Sequence, residues 1–256
     1  MDRRTFVTQA SVAGMSGAAI PLNAWAQAFT TAASERSSVV EPVPESTRLA
    51  LGFGDDPLFA PHMVAIEKKF LRGAGFVEIA TRTFSDDALA GEAMAAGGLS
   101  LWTAGNSAAV VMAHSNLPVV VLGTNAVTAK QVPHSRSLFI ATQEFVRRNP
   151  IATRQMVVGM LMAQRYVGDP NNRKEVIDLF CRQTRQDPAL VSAKWDDYVF
   201  NPAFDQAYVD DMKGMTDSLA AGGRIKSPKD PLDFTFSSPL EAADPALVKV
   251  AGRFRV

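Results

Sequence analysis

Leu49-Ala50-Leu51-Gly52-Phe53-Gly54-Asp55-Asp56-Pro57-Leu58-Phe59-Ala60-Pro61-His62-Met63-Val64-Ala65-Ile66-Glu67-Lys68-Lys69-Phe70 reads as a strand, a tight loop and a helix in immediate succession. Leu49 to Phe53 is a short apolar run of strand length. Asp56 is placed to cap the helix that follows, and Pro57 stands at its first position, where the missing proline donor costs nothing. Phe59, Met63, Ile66 and Phe70 recur at helical spacing, while Glu67, Lys68 and Lys69 face water. Gly73 and Gly75 then stop the helix.

The same alternation continues toward the C-terminus. Phe76 to Ala80 reads as a second strand, and Ser85 or Asp86 caps a helix that runs through Ala96 and closes at Gly97-Gly98. Leu99 to Thr103 reads as a third strand, Asn106 caps a helix to about Ser115, and Pro118 to Gly123 reads as a fourth strand. Repeated βαβ units imply an α/β domain with a mostly parallel sheet covered by helices. Beyond Ala141 the pattern becomes helix upon helix, with Asn149-Pro150, Asp187-Pro188 and Asn201-Pro202 as start signals. The proline-rich tail from Ser227, with Phe234 and Phe236, reads as a surface wrap.

Toward the N-terminus, Arg3-Arg4 precedes Thr5-Phe6-Val7 and a weakly apolar run from Ala10 to Leu22, and Ala24-Trp25-Ala26 offers small residues for cleavage. These are the parts of a twin-arginine export signal over residues 1–26. The run is too short and too broken by Gly and Pro to span a bilayer. Residues 27–46 lack a hydrophobic period and read as a flexible leader, so the domain is expected over 47–256. It divides into a βαβ lobe (47–124), a connection (125–136), and a return strand with C-terminal helices (137–256).

Cleavage after Ala26 takes Asp2, Arg3 and Arg4 from the 26 acidic and 26 basic residues, leaving a net charge of −1. That balance gives no footprint for nucleic acid. The lone Cys181 permits no internal disulfide or cysteine-cluster metal site, and the helical pattern around it points to a buried position. His62, His114 and His134 have no metal-ligand spacing, and neither a Gly-x-Ser-x-Gly elbow nor a P-loop occurs. No catalytic residue, metal or cofactor is expected, and the chain reads as a non-enzyme.

In an open parallel sheet, ligands sit beyond the carboxyl ends of the strands. Here that edge carries Phe53, Gly54, Asp55 and Asp56 after the first strand, Ser85 and Asp86 after the second, and Asn106 and Ser107 after the third. Helix N-termini there favour an anion or a polar head group. Each aspartate pair has two readings: a helix cap, or a cleft-facing carboxylate that would select an amine-bearing or zwitterionic solute. Phe53 and Trp102 could stack on a ligand or pack in the core.

The segments Gly54 to Phe70, Ala90 to Ser107, Leu117 to Gly123 and Leu138 to Pro150 together resemble nitrate/sulfonate/taurine-type periplasmic substrate-binding proteins of ABC transporters. The resemblance implies a periplasmic-binding-protein type II-like lobe, followed by a C-terminal helical region. It also implies a periplasmic location, a small-molecule solute and membrane permease subunits as partners. One departure is large. That family places a whole second lobe between the fourth strand and the return strand, whereas here only Thr124 to Arg136 intervenes, too short for a domain. The chain is then a one-lobe binding module, a lobe whose cleft a second copy completes, or a relative that serves only for interaction or dimerisation. Thr124, Asn125, Lys130 and Arg136 are the polar groups placed to substitute for the missing half or to form a solvated hinge.

Overall fold

The computed structural model describes residues 43–116, 118–130 and 134–256. The expected signal peptide (1–26) and the expected leader up to residue 42 lie outside them. Val43 to Val256 forms one compact unit.

Among the described residues six strands form one sheet: β1 (Arg48–Phe53), β2 (Glu78–Thr83), β3 (Leu101–Gly105), β4 (Val119–Thr128), β5 (Arg136–Thr142) and β6 (Tyr198–Val199). Their order is β2-β1-β3-β5-β4-β6. β1 pairs in parallel with β2 and β3, whereas β5 runs antiparallel to both β3 and β4. The expected parallel direction therefore holds for the first four strands, and the return strand is inserted against them between the third and the fourth. β2 and β3 begin later than the sequence pattern suggests. Phe76 is buried beneath the turn before β2, as a core residue rather than a strand residue.

Helix α1 (Ala60–Glu67) follows β1, and α2 (Phe70–Gly73) follows Lys69, whose left-handed φ of 60° breaks the expected single helix in two. α3 (Asp87–Ala95) connects β2 to β3, and α4 (Asn106–Ala113) connects β3 to β4. The β1-to-β2 step and the β2-to-β3 step cross the sheet in opposite directions. Right-handed crossovers then put α1 on one face and α3 and α4 on the other. After β5 come α5 (Gln143–Arg148), α6 (Pro150–Gly168), α7 (Arg173–Thr184), α8 (Pro188–Lys194), α9 (Gln206–Ala221) and α10 (Ser238–Ala243). α6 packs on α1 and α2, and α9 packs on α4, so the C-terminal helices thicken both layers. None of the described helices is long and apolar enough to cross a membrane.

Of the three helix-start signals, one acts as the sequence suggests and two do not. Asp187 caps α8 through Ala189 N at 2.7 Å. Asn149 instead donates back to Phe145 O at 2.9 Å, and the Glu45 carboxylate, near the end of the expected leader, accepts from Ile151 N and Ala152 N at the start of α6. Asn201 closes a turn onto Ala203 N at 3.0 Å, while Asp205 caps α9. The tail is no surface wrap. Phe234 and Phe236 are buried, and Phe236 N donates to Val121 O at 2.8 Å, sealing the outer edge of β4. Cys181 is a buried free thiol on α7.

Where the second lobe was expected to be missing, β4 and β5 simply extend into a hairpin. Val127 pairs with Arg136 across it, and Val199 of β6 pairs with Val127 from the other side. Thr124, Asn125 and Arg136 are buried here, so none of the three is a solvated hinge. Lys130 alone is exposed, in an ion pair with Asp197.

Candidate functional site

The carboxyl ends of β1, β2 and β3 lie side by side. Phe84 N donates to Phe53 O at 2.9 Å, which ties the second loop to the first. Gly52 pairs with Trp102, which sets the third loop on the opposite flank of the first.

In the first loop Gly54 is required by space, since a Cβ there would lie 2.6 Å from the Phe59 ring folded over the turn. Asp56 accepts from Leu58 N at 2.8 Å and so starts the turn Pro57–Phe59 that feeds α1. Burial raises the pKa of its carboxyl above the ordinary aspartate value, and the Asp55 charge adds to this against the Leu58 hydrogen bond. The Tyr198 phenol faces this carboxyl, and burial together with the Asp56 charge pushes it up to about 12. Asp55 itself is exposed, and its carbonyl accepts from Gln186 Nε2 at 2.7 Å. Phe53 is buried and stacks on His62 with centroids 4.8 Å apart. His62 Nδ1 meets Thr103 Oγ1, while its Nε2 is buried without a partner. Burial holds this imidazole neutral, with its pKa lowered to about 3.

The second loop is open. Asp86 caps α3 through Ala88 N at 2.6 Å, and Ser85 and Asp86 both face solvent. A shallow groove of about 390 Å³ runs beside them, lined by Arg82, Thr83, Phe84, Ser85, Leu89 and Glu92. The Arg82 guanidinium lies over the Phe84 ring, 5.1 Å from its centroid.

In the third loop Gly105, not Asn106, holds the cap position of α4, and Asn106 is the first helical residue. The reason lies across the chain. Asn106 is 4% exposed, and its amide donates to His134 O at 3.1 Å, which pins the hairpin to the start of α4. Ser107 follows it, half-buried, on the first turn of α4.

Thr124 does not join the other candidates. Its hydroxyl donates to Asn201 O, and its carbonyl accepts from Gln164 Nε2, both in the interior. Three residues close to this edge form a cluster that the sequence reading did not join: it placed Arg136 beside the connection and named His134 without a role, and Asp211 escaped it. Arg136 Nε donates to Asp211 Oδ2 at 2.6 Å, and His134 Nδ1 lies 3.1 Å from Asp211 Oδ1. Arg136 is 3% exposed and its Nη1 has no hydrogen-bond partner. Asp211 stands on α9, 75 residues away, so no local pattern announces the pair. Among the described residues no group of three or more His, Cys, Asp or Glu side chains could hold a metal ion.

The edge thus offers the first turn of α4, an exposed carboxylate at Asp55 and the Ser85 groove, while Asp56, Asp86, Asn106 and Thr124 are engaged within the fold. A sheet with this strand order, and with loops gathered at the carboxyl ends of its first strands, is the fold of periplasmic substrate-binding proteins. Solved structures bear this out. The periplasmic nitrate-binding protein NrtA from Synechocystis PCC 6803 superposes with a TM-score of 0.65 at 11% identity, over 80% of this chain and 90% of that one. The alkanesulfonate-binding protein SsuA from Xanthomonas axonopodis pv. citri, bound to MOPS, gives 0.60 at 10% identity, over 76% and 99%. The periplasmic aliphatic sulphonate binding protein SsuA from Escherichia coli gives 0.58 at 9% identity, over 73% and 96%. No protein-family model and no curated protein sequence matches the chain.

Proposed function

We propose that this protein is an extracytoplasmic solute-binding component of an ABC importer, which takes a small polar solute at the loops after β1, β2 and β3. The solute is sulfonate-, nitrate- or taurine-like, or an aromatic acid. The observation that carries the reading is the shared fold with nitrate- and sulfonate-binding proteins, with α4 opening at the strand edge where such folds hold ligands. Arg82 and Glu92 flank the groove beside Ser85, so opposite charges stand ready there for a zwitterion. Export by the twin-arginine signal delivers the folded chain to the periplasm, where membrane permease subunits are its partners. Calorimetry of the protein against nitrate, alkanesulfonates, taurine and aromatic acids tests the reading. Saturable heat that Ser107→Ala or Arg82→Ala weakens supports it, and silence across the panel from a folded protein overturns it.

One observation favours a second reading, that of a one-lobe interaction module. Asn106 and Thr124 spend their side chains on backbone carbonyls of this chain, and β4 turns directly into β5 through a short hairpin. Silence in calorimetry together with a defined oligomer would select it.

A further inference from the structure

We infer that the outer edge of β2 is a homodimer surface, where two copies join their sheets antiparallel about a two-fold axis. Within α/β sheets, strands are normally covered on both faces. β2 is an exception: five of its six residues are exposed and only Ile79 is half-buried. Among the described residues its one partner strand is β1. The other end of the sheet is treated differently, since β6 and the Thr235–Phe236 segment both seal β4. An unsealed edge of this kind is a template for another strand, and natural chains rarely leave one bare.

The register follows from the ladder. Phe84 N donates to Phe53 O, so even-numbered residues of β2 turn their backbone groups toward β1. Ile79, Thr81 and Thr83 therefore present N–H and C=O outward. Antiparallel self-pairing must then join odd residues with odd ones. The register centred on Ala80 sets Ile79 opposite Thr81 of the second copy, with about four ladder bonds around the axis. It also sets Glu78 opposite Arg82 of the second copy, twice by symmetry, so the strand is complementary in charge to itself. A shift by one pair in either direction loses this match. At the same register Val77, which is 68% exposed, comes level with Thr83, on the lip of the groove that Phe84 and the exposed Leu89 line.

Sedimentation velocity of the full chain over a concentration series provides the test. A reversible dimer is expected. Glu78→Arg or Arg82→Glu alone brings like charges together at both pairs and weakens association at least about tenfold, and the double exchange restores it. The exposed Arg48–Glu78 ion pair, 2.7 Å long, that the exchange also disturbs contributes little. Thr81→Pro removes an outward N–H while sparing the β1 ladder, and abolishes the dimer without a loss of fold by circular dichroism. A chain that stays monomeric up to its solubility limit overturns the inference. So does a dimer that ignores these substitutions, or one formed with a different protein in place of a second copy.

Discussion

His62 gives the fold a pH dependence whose size can be worked out. The ring is fully buried, stacked on Phe53, and its pKa falls from 6.5 to about 3 because burial penalises the charged form. The unfolded chain binds a proton at His62 below pH 6.5, and the native chain does not until about pH 3. Stability from this residue is therefore complete above pH 6.5 and drains away as the pH falls through that window. Each pH unit within it costs about 1.4 kcal/mol, so pH 5 forfeits about 2 kcal/mol. Carboxylates titrate in the same range, so the comparison is with His62→Gln, which keeps a polar partner for Thr103 and cannot titrate. Urea unfolding at pH 7.5 and pH 5 should show the wild-type chain losing about 2 kcal/mol more than the variant. Equal losses in the two proteins would show that His62 is not held neutral by burial.

Other substitutions test the packing and the caps. Asp56→Ala should lower stability by about 1 kcal/mol through loss of the Leu58 cap, while Asp56→Asn keeps most of it; chemical denaturation reads both. Gly123→Ala would drive a Cβ to 2.3 Å from the Phe139 ring and should cost about 1–3 kcal/mol, recovered in part by Phe139→Leu. Asp211→Ala strips the buried Arg136 of its counter-charge and should cost about 3–5 kcal/mol, whereas Arg136→Met with Asp211→Leu should cost far less. Cys181 should resist a thiol reagent in the native state and react on unfolding, since it is buried and burial raises its pKa.

What the sequence discloses here is what short-range physics decides. The first strand, the Asp56-Pro57 start, the Asp86 cap and the stop at Gly97 each depend on neighbours within a few residues, and the structure has them all. Gly97 takes the left-handed φ of 73° that ends α3. Pairings set by distant residues were not legible. β5 slots between β3 and β4 because its apolar run matches both, a fact with no local signature. Asn106 looks like a cap because it stands at a helix start, but a carbonyl from residue 134 claims its side chain. Glu45 has no visible purpose until α6 arrives with two unpaired N–H groups. Of the candidate site, only the placement of its loops was legible: those after β1, β2 and β3 lie side by side, yet four of the nine candidate residues hydrogen-bond to other groups of this chain.

That internal engagement decides how a solute could approach. The hairpin is fixed to the C-terminal half by the Arg136–Asp211 pair, by Thr124 on Asn201 and by Ala129 N on Asp197 O at 2.7 Å, and to α4 by the Asn106–His134 contact. Lifting it exposes a buried guanidinium and several buried carbonyls at once, at a cost of several kcal/mol. An approach from the β4 side therefore demands partial unfolding. On the β2 side, Ser85, Asp86 and the groove are open without any movement. The proposed solute capture and the proposed strand-edge pairing then draw on one region of the surface, so dimerisation at β2 would crowd the Ser85 groove while leaving Asp55 and the first turn of α4 untouched. Glu78→Arg alone separates the two proposed roles, since it opposes the strand pairing while leaving Arg82 and the other groove-lining residues unchanged.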